Sequence, residues 1–179
     1  MKYIKLFENF EEYDIYQLKI MPSHKKAEIL FDEINKEDKA NLNFVNDLLA
    51  LRANLDWQDN FGETALHLCA RWNSPEIARM LIDAGADVNI QRIGGETALH
   101  WCSRFNRPEI SRMLIDAGVD VNIQDNFGFT ALHWCANKNH PEVAQMLIDA
   151  GSDKTIPDVN GKLPYELADT QELKELLKP

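Results

Sequence analysis

The chain has 179 residues, 45% of them hydrophobic, and its 29 acidic against 19 basic side chains give a formal charge of −10. That is enough apolar material for one compact domain or a short array, while no apolar run approaches the length of a membrane span. The acidic surplus, with no net basic region, speaks against nucleic acid as a partner, and three cysteines without a disulfide-framework spacing suit a reducing compartment.

The first segment, 1–22, opens with MKYIKLFENFEEYD, too acidic and too interrupted for a secretory signal, so a soluble cytoplasmic protein is expected. Ile4, Phe7 and Phe10 share a helical face, whereas Tyr16, Leu18 and Ile20 alternate as a strand would, and the two periods leave the segment undecided. It reads either as an arm covering the open edge of the adjoining segment or as an exposed docking peptide. Segment 23–58 holds a helix over Lys25–Asn35 and then an apolar pattern in which Phe44, Leu48, Leu49 and Leu55 stand 33 residues before Ile77, Leu81, Ile82 and Val88. Arg52 falls where Gly85 stands one period later.

From Asp59 the period is explicit. Blocks 59–91, 92–124 and 125–157 align with a shift of 33, the first two agreeing at roughly three-quarters of positions. Within each block Thr64, Thr97 and Thr130 suit the N-cap of a short helix. Asn73, Asn106 and Asn139 then tolerate a left-handed turn, and Pro75, Pro108 and Pro141 suit the start of a second helix. That helix carries a stripe of Ile77, Leu81 and Ala84 flanked by Ala78 and Ile82, and it stops at Gly85, Gly118 or Gly151. Arg79, Asp83, Arg112, Asp116 and Asp149 form a solvated back face. Segment 158–179 keeps a Gly, a Pro and a Leu-Ala echo before a short charged helix.

The stretch DNFGETALHLCARWNSPEIARMLIDAGADVNIQ resembles the ankyrin repeat in its length, its T-x-L-H signature and its Gly-Ala-Asp-Val-Asn ending. Ala65, Ala98 and Ala131 depart from the family's usual proline, a small cost for a strong helix former. The resemblance implies an all-α solenoid of helix-turn-helix repeats joined by β-hairpin-like loops. Three full repeats would stand between a divergent N-terminal capping repeat (23–58) and a C-terminal capping repeat (158–179).

TALHLC at 64 and TALHWC at 97 and 130 place His67, His100 and His133 beside Cys69, Cys102 and Cys135. Two residues apart on a helix is about 200° around the axis, so one ion cannot bind both. Equivalent positions of packed helices are roughly 8–10 Å apart, far beyond zinc bonds of about 2.0–2.3 Å. The cysteines read as small core fillers. The resemblance implies that the histidine rings join a hydrogen-bond network with the motif threonines and the neighbouring repeat's backbone. With no phosphate loop and no nucleophile-base pair, no enzyme, metal or cofactor is expected.

Function must then lie where near-identical blocks differ. Those positions are Asn60, Phe61, Glu63, Ile93, Gly94, Glu96, Asn126, Phe127 and Phe129 around the turn, and Arg71, Trp72, Arg104, Phe105, Asn137 and Lys138 at the end of the first helix, of which the aromatic, apolar and charged ones are the candidates for partner contact. Trp101 and Trp134 replace Leu68 within that helix, as groove anchors or as packing residues. The resemblance implies partner binding through hairpin tips and the concave face of the first helices, and aromatic and Arg side chains are the residue types that carry interface energy. A protein partner is expected, for a non-enzymatic adaptor or scaffold that is monomeric on its own. A viral or bacterial effector that occludes a host protein in the host cytoplasm, or a structural protein self-associating through the arm, are the alternatives. Asn89 and Asn122, each eight residues after Leu81 or Leu114, resemble the substrate pattern of asparaginyl hydroxylases acting on ankyrin repeats, and equally suit turn-stabilising side chains.

Overall fold

A computed structural model describes residues 15–36 and 40–179. Helix α1 (Ile15–Ile20) and α2 (Ser23–Ile34) precede α3 (Leu42–Ala50). Three helix pairs come next: α4 (Ala65–Trp72) with α5 (Pro75–Asp83), α6 (Ala98–Phe105) with α7 (Pro108–Asp116), and α8 (Ala131–Lys138) with α9 (Pro141–Asp149). A 3-10 turn (Pro164–Leu167) and α10 (Gln171–Leu177) close the chain. Among the described residues there is no strand, and no helix is long and apolar enough to cross a membrane.

The helices form two rows. In the inner row α2, α4, α6, α8 and the 3-10 turn pack in succession, and behind them run α3, α5, α7, α9 and α10. The core lies between the rows and is built from equivalent positions: Leu66, Leu99 and Leu132 are buried, as are Leu81, Leu114 and Leu147. Each such leucine contributes roughly 1.5–3 kcal/mol, and because every repeat contacts only its neighbours the stack holds through the sum of interfaces.

Local chemistry places the helices. Asn73, Asn106 and Asn139 adopt φ of 57°, 54° and 58° as C-caps of the inner helices, the left-handed turn that reverses the chain. Arg52 takes φ 57° at the position where the repeats have glycine. It closes α3 with Ala53 N–H donating to Leu48 O, while Lys26 Nζ caps Leu51 O at 2.9 Å. One open reading is resolved and one expectation corrected. Residues 15–20 are helical, so the strand-like alternation of Tyr16, Leu18 and Ile20 is not a strand; Leu18 is buried and Ile20 exposed. Ile4, Phe7 and Phe10 lie outside the described residues. Ala84 is exposed as the C-cap of α5, because the chain turns at Gly85 and presents Ala86 and Val88 to the core instead.

The loops between pairs are cross-linked along the stack. Asp59 Oδ1 accepts from the N–H groups of Phe61 (2.8 Å) and Glu63 (2.9 Å), folding a tight hairpin, and Asp125 and Asp158 repeat this. Successive tips bond through the backbone, Ile93 N–H to Phe61 O, Asn126 N–H to Gly94 O and Val159 N–H to Phe127 O. Gln58, Gln91 and Gln124 each donate to the carbonyl of a glycine in their own hairpin and to a carbonyl 33 residues on.

Candidate protein-interaction surface

The histidines are framework. Thr64 N–H donates to His67 Nδ1 at 3.1 Å, so that nitrogen carries no proton and the Nε2–H donates to Glu96 O of the next repeat at 3.0 Å. His100 and His133 make the same pair of bonds, to Phe129 O and Lys162 O. With both nitrogens engaged the rings offer no lone pair to a metal. Burial also lowers their pKa values, that of His67 to about 4. The cysteines are free and fully enclosed, and burial pushes the Cys102 and Cys135 thiols up to about 12 and raises Cys69 as well. Such thiols are inert as nucleophiles.

The variable positions meet on the face of the inner row. The guanidinium of Arg71 stands 4.3 Å from the ring centroid of Trp101 and forms an ion pair with Glu63 at 2.9 Å. One repeat on, Arg104 stands 5.1 Å over Trp134 and 5.4 Å over Phe105. Each arginine at the end of one inner helix thus roofs the tryptophan of the next, a cation–π contact repeated with the period of the stack. The rungs stop where their parts stop: Leu68 stands at the first tryptophan position and Asn137 at the third arginine position.

Burial sorts the predicted residues. Phe61, Ile93 and Phe127 are 65%, 70% and 63% exposed, and Arg104, Phe105 and Lys138 are exposed too. Trp72, Trp134, Arg71 and Phe129 are half-buried. Trp72 Nε1 donates to Asn35 Oδ1 and Trp134 Nε1 to Asp125 Oδ2, each at 3.0 Å, while the Phe129 ring stacks on His133 and meets Trp134 edge-on. Trp101, Glu63 and Glu96 are buried and do not present themselves to a partner. Trp101 is enclosed by His67, Phe105 and the two arginines Arg71 and Arg92. Burial raises the Glu63 carboxyl above its ordinary range, against the pull of Arg71. Asn89 is exposed and Asn122 half-buried, and their side-chain carbonyls accept from Asp120 N–H and Asp153 N–H at 2.8 Å, bracing the next loop.

Two residues, Val159 and Arg92, carry roles that the repeat pattern did not mark, and Gly94, one of the differing positions, acts with the second. Val159, 68% exposed, extends the row of apolar tips to a fourth hairpin; its signal was an apolar residue at the offset of Ile93. Arg92 stands where the other hairpins have Asp59, Asp125 and Asp158, so it cannot accept their two backbone bonds. It instead binds Glu96 Oε1 at 2.7 Å. Gly94, in place of Phe61 or Phe127, makes room for that ion pair, since a Cβ there would collide with Glu96 Oε2 and approach Arg92 Nη2. Arg92 and Gly94 are one coupled departure from the repeat.

A stack of paired helices, hairpins bonded tip to tip and a histidine ring tying each repeat to the next define the class, and the chain belongs to the ankyrin repeat family: the family model "Ankyrin repeats (3 copies)" matches residues 36–125 and 94–158. Repeats of this kind generally mediate protein–protein interactions and are typically non-catalytic. The chain is 43% identical over 63 residues to human neurogenic locus notch homolog protein 2, a match spanning 35% of this chain and 2% of the relative. It is 41% identical over 61 residues to the Drosophila melanogaster neurogenic locus Notch protein, spanning 34% and 2%. Against Xenopus laevis neurogenic locus notch homolog protein 1 it is 40% identical over 57 residues, spanning 31% and 2%. The likeness is therefore to a small part of each relative.

Proposed function

We propose that the chain is a non-enzymatic binding module that holds a protein partner against its hairpin tips and the inner-row face. The observation that carries this reading is the row of apolar side chains on successive hairpins, Phe61, Ile93, Phe127 and Val159, each more than 60% exposed. Scattered exposed apolar groups are ordinary, but one on each of four successive hairpin tips bonded to one another, alternating between two neighbouring positions of the turn, marks an interaction site. The backbone bonds from tip to tip hold the row in place before a partner arrives, which reduces the ordering cost of binding. The half-buried aromatics and the arginines supply anchors beside it.

The test is a crosslinked pull-down with wild type and a Phe61→Ser, Phe127→Ser double variant. Loss of the captured protein with an unchanged melting temperature supports the reading. Equal capture by both proteins overturns it. Free, buried thiols suit a reducing compartment, and we place the protein in the cytoplasm on that ground. Asn89 and Asn122 are proposed as hydroxylation sites on the resemblance that marked them. Intact mass after incubation with an asparaginyl hydroxylase, with or without added oxygen, decides this.

A further inference from the structure

We infer that the partner segment seated on the inner-row face is acidic, its carboxylates received by Arg104 and by Lys138 on the neighbouring repeat. This rests on the binding-module reading above and names the chemistry of its partner.

The inference comes from how charge is distributed on this one face. The carboxylates beside it are withdrawn and committed: Glu63 and Glu96 are buried in ion pairs with Arg71 and Arg92, and Asp125 and Asp158 are buried against backbone N–H groups. The cations point the other way. Arg104, Lys138 and Lys162 are exposed, and among the described residues none of the three forms an ion pair. Lys162 occupies the position held by Glu63, Glu96 and Phe129 in the three repeats before it. A protein of net charge −10 therefore shows exposed cations at the ends of α6 and α8, Arg104 and Lys138, and at the fourth hairpin, Lys162.

Arg104 is also prepared for a carboxylate. It stands between the Trp134 and Phe105 rings, 5.1 and 5.4 Å from their centroids, so its planar fork is held while the exposed side chain keeps its donors available. A held guanidinium loses little freedom when it takes a carboxylate with two parallel hydrogen bonds.

A single-stranded nucleic acid is the other anion to weigh, and the face does not suit one. Base stacking needs an open ring, but Trp101 is 4% exposed beneath Arg71, and Trp134 is covered by Arg104 and flanked by Phe129.

The experiment selects short random displayed peptides on the full-length protein and measures the best by fluorescence anisotropy. Enrichment of Asp and Glu over Lys and Arg is expected, with affinity falling about tenfold or more for Arg104→Glu. Addition of Lys138→Glu should weaken it further, and raising salt should weaken the wild-type complex. Arg104 and Lys138 are exposed, so thermal melts should report intact folds. Selected peptides without acidic enrichment that still require Phe105 and Phe127 overturn the acidic partner and leave the binding module standing. Peptides indifferent to all four positions, or no selectable peptide, count against both. Displacement of the selected peptide by an oligothymidylate overturns the protein-segment assignment in favour of nucleic acid.

Discussion

The Arg71 guanidinium lies 4.3 Å from the centroid of the Trp101 ring, on the next repeat, and holds the buried Glu63 carboxylate at 2.9 Å on its own. One side chain thus closes the space over an aromatic ring and neutralises a buried acid. Removing it exposes the first and strands the second.

Arg71→Ala should accordingly lower stability by about 1–3 kcal/mol, mostly from the unpaired carboxylate, and shift tryptophan emission to the red as Trp101 meets water. Arg71→Lys should recover part of the stability but not the emission, because a compact ammonium does not cover a ring as a planar guanidinium does. Urea unfolding and fluorescence spectra read both. An Arg71→Ala protein as stable as wild type would show that the ion pair contributes nothing.

Acid should loosen the stack through the histidines. The pKa of buried His67 is about 4 in the fold against roughly 6.5 unfolded, so between these values the unfolded chain binds more protons and stability rises with pH. The contribution is complete above about pH 6.5 and is lost as pH falls toward 4, by at most about 3 kcal/mol for His67. His100 and His133 act in the same direction. Glu63, whose carboxyl is raised, acts in the opposite sense, so the discriminating measurement is a comparison with His67→Gln. Glutamine at this third helical position can accept from the Thr64 N–H at the N-cap without titrating. The variant should show a shallower decline of melting temperature with acid, and parallel curves would exclude the histidine as its source.

Gly94 and Arg92 should be energetically coupled. Gly94→Ala places a Cβ against the Glu96 carboxylate and should cost about 1–3 kcal/mol. On an Arg92→Asp background, where aspartate can take the role of Asp59 and release Glu96, the same change should cost little. A double-mutant cycle in urea reports the coupling, and additive effects would sever the link between the two residues.

Asn89 should matter for its carbonyl rather than its amide. Asn89→Ala removes the acceptor for Asp120 N–H and should cost about 1 kcal/mol. Asn89→Asp should be close to neutral, because Asp56 already does this for Asp87 N–H at 2.9 Å in the preceding loop. Thermal melts of the two variants test this, and equal losses would point to a role for the amide group.

Much of this molecule is local and was therefore legible. Threonine caps, left-handed asparagines, prolines at helix starts and glycines after helix ends act within a few residues, so the helices and turns of residues 59–157 could be read from their order. The apolar tips Phe61, Ile93 and Phe127 were legible for a similar reason, since a turn keeps its side chains in water whatever packs behind it. Where a side chain reaches into the next repeat, the sequence position was silent. Trp101 is 4% exposed and Trp134 half-buried although both stand at the same place in the repeat, because their neighbours differ. Arg71 and Arg92 close over the first, while Arg104 alone covers the second and Asp125 draws its indole N–H to one side. Glu63 and Glu96 stand among the differing turn positions offered for partner contact, but arginines eight and four residues away cover them. The sequence alone determined the period, the turns and the family. Tertiary structure decided which members of a repeated position face water, because exposure there depends on the side chains of the adjacent repeat and not on the residue's own.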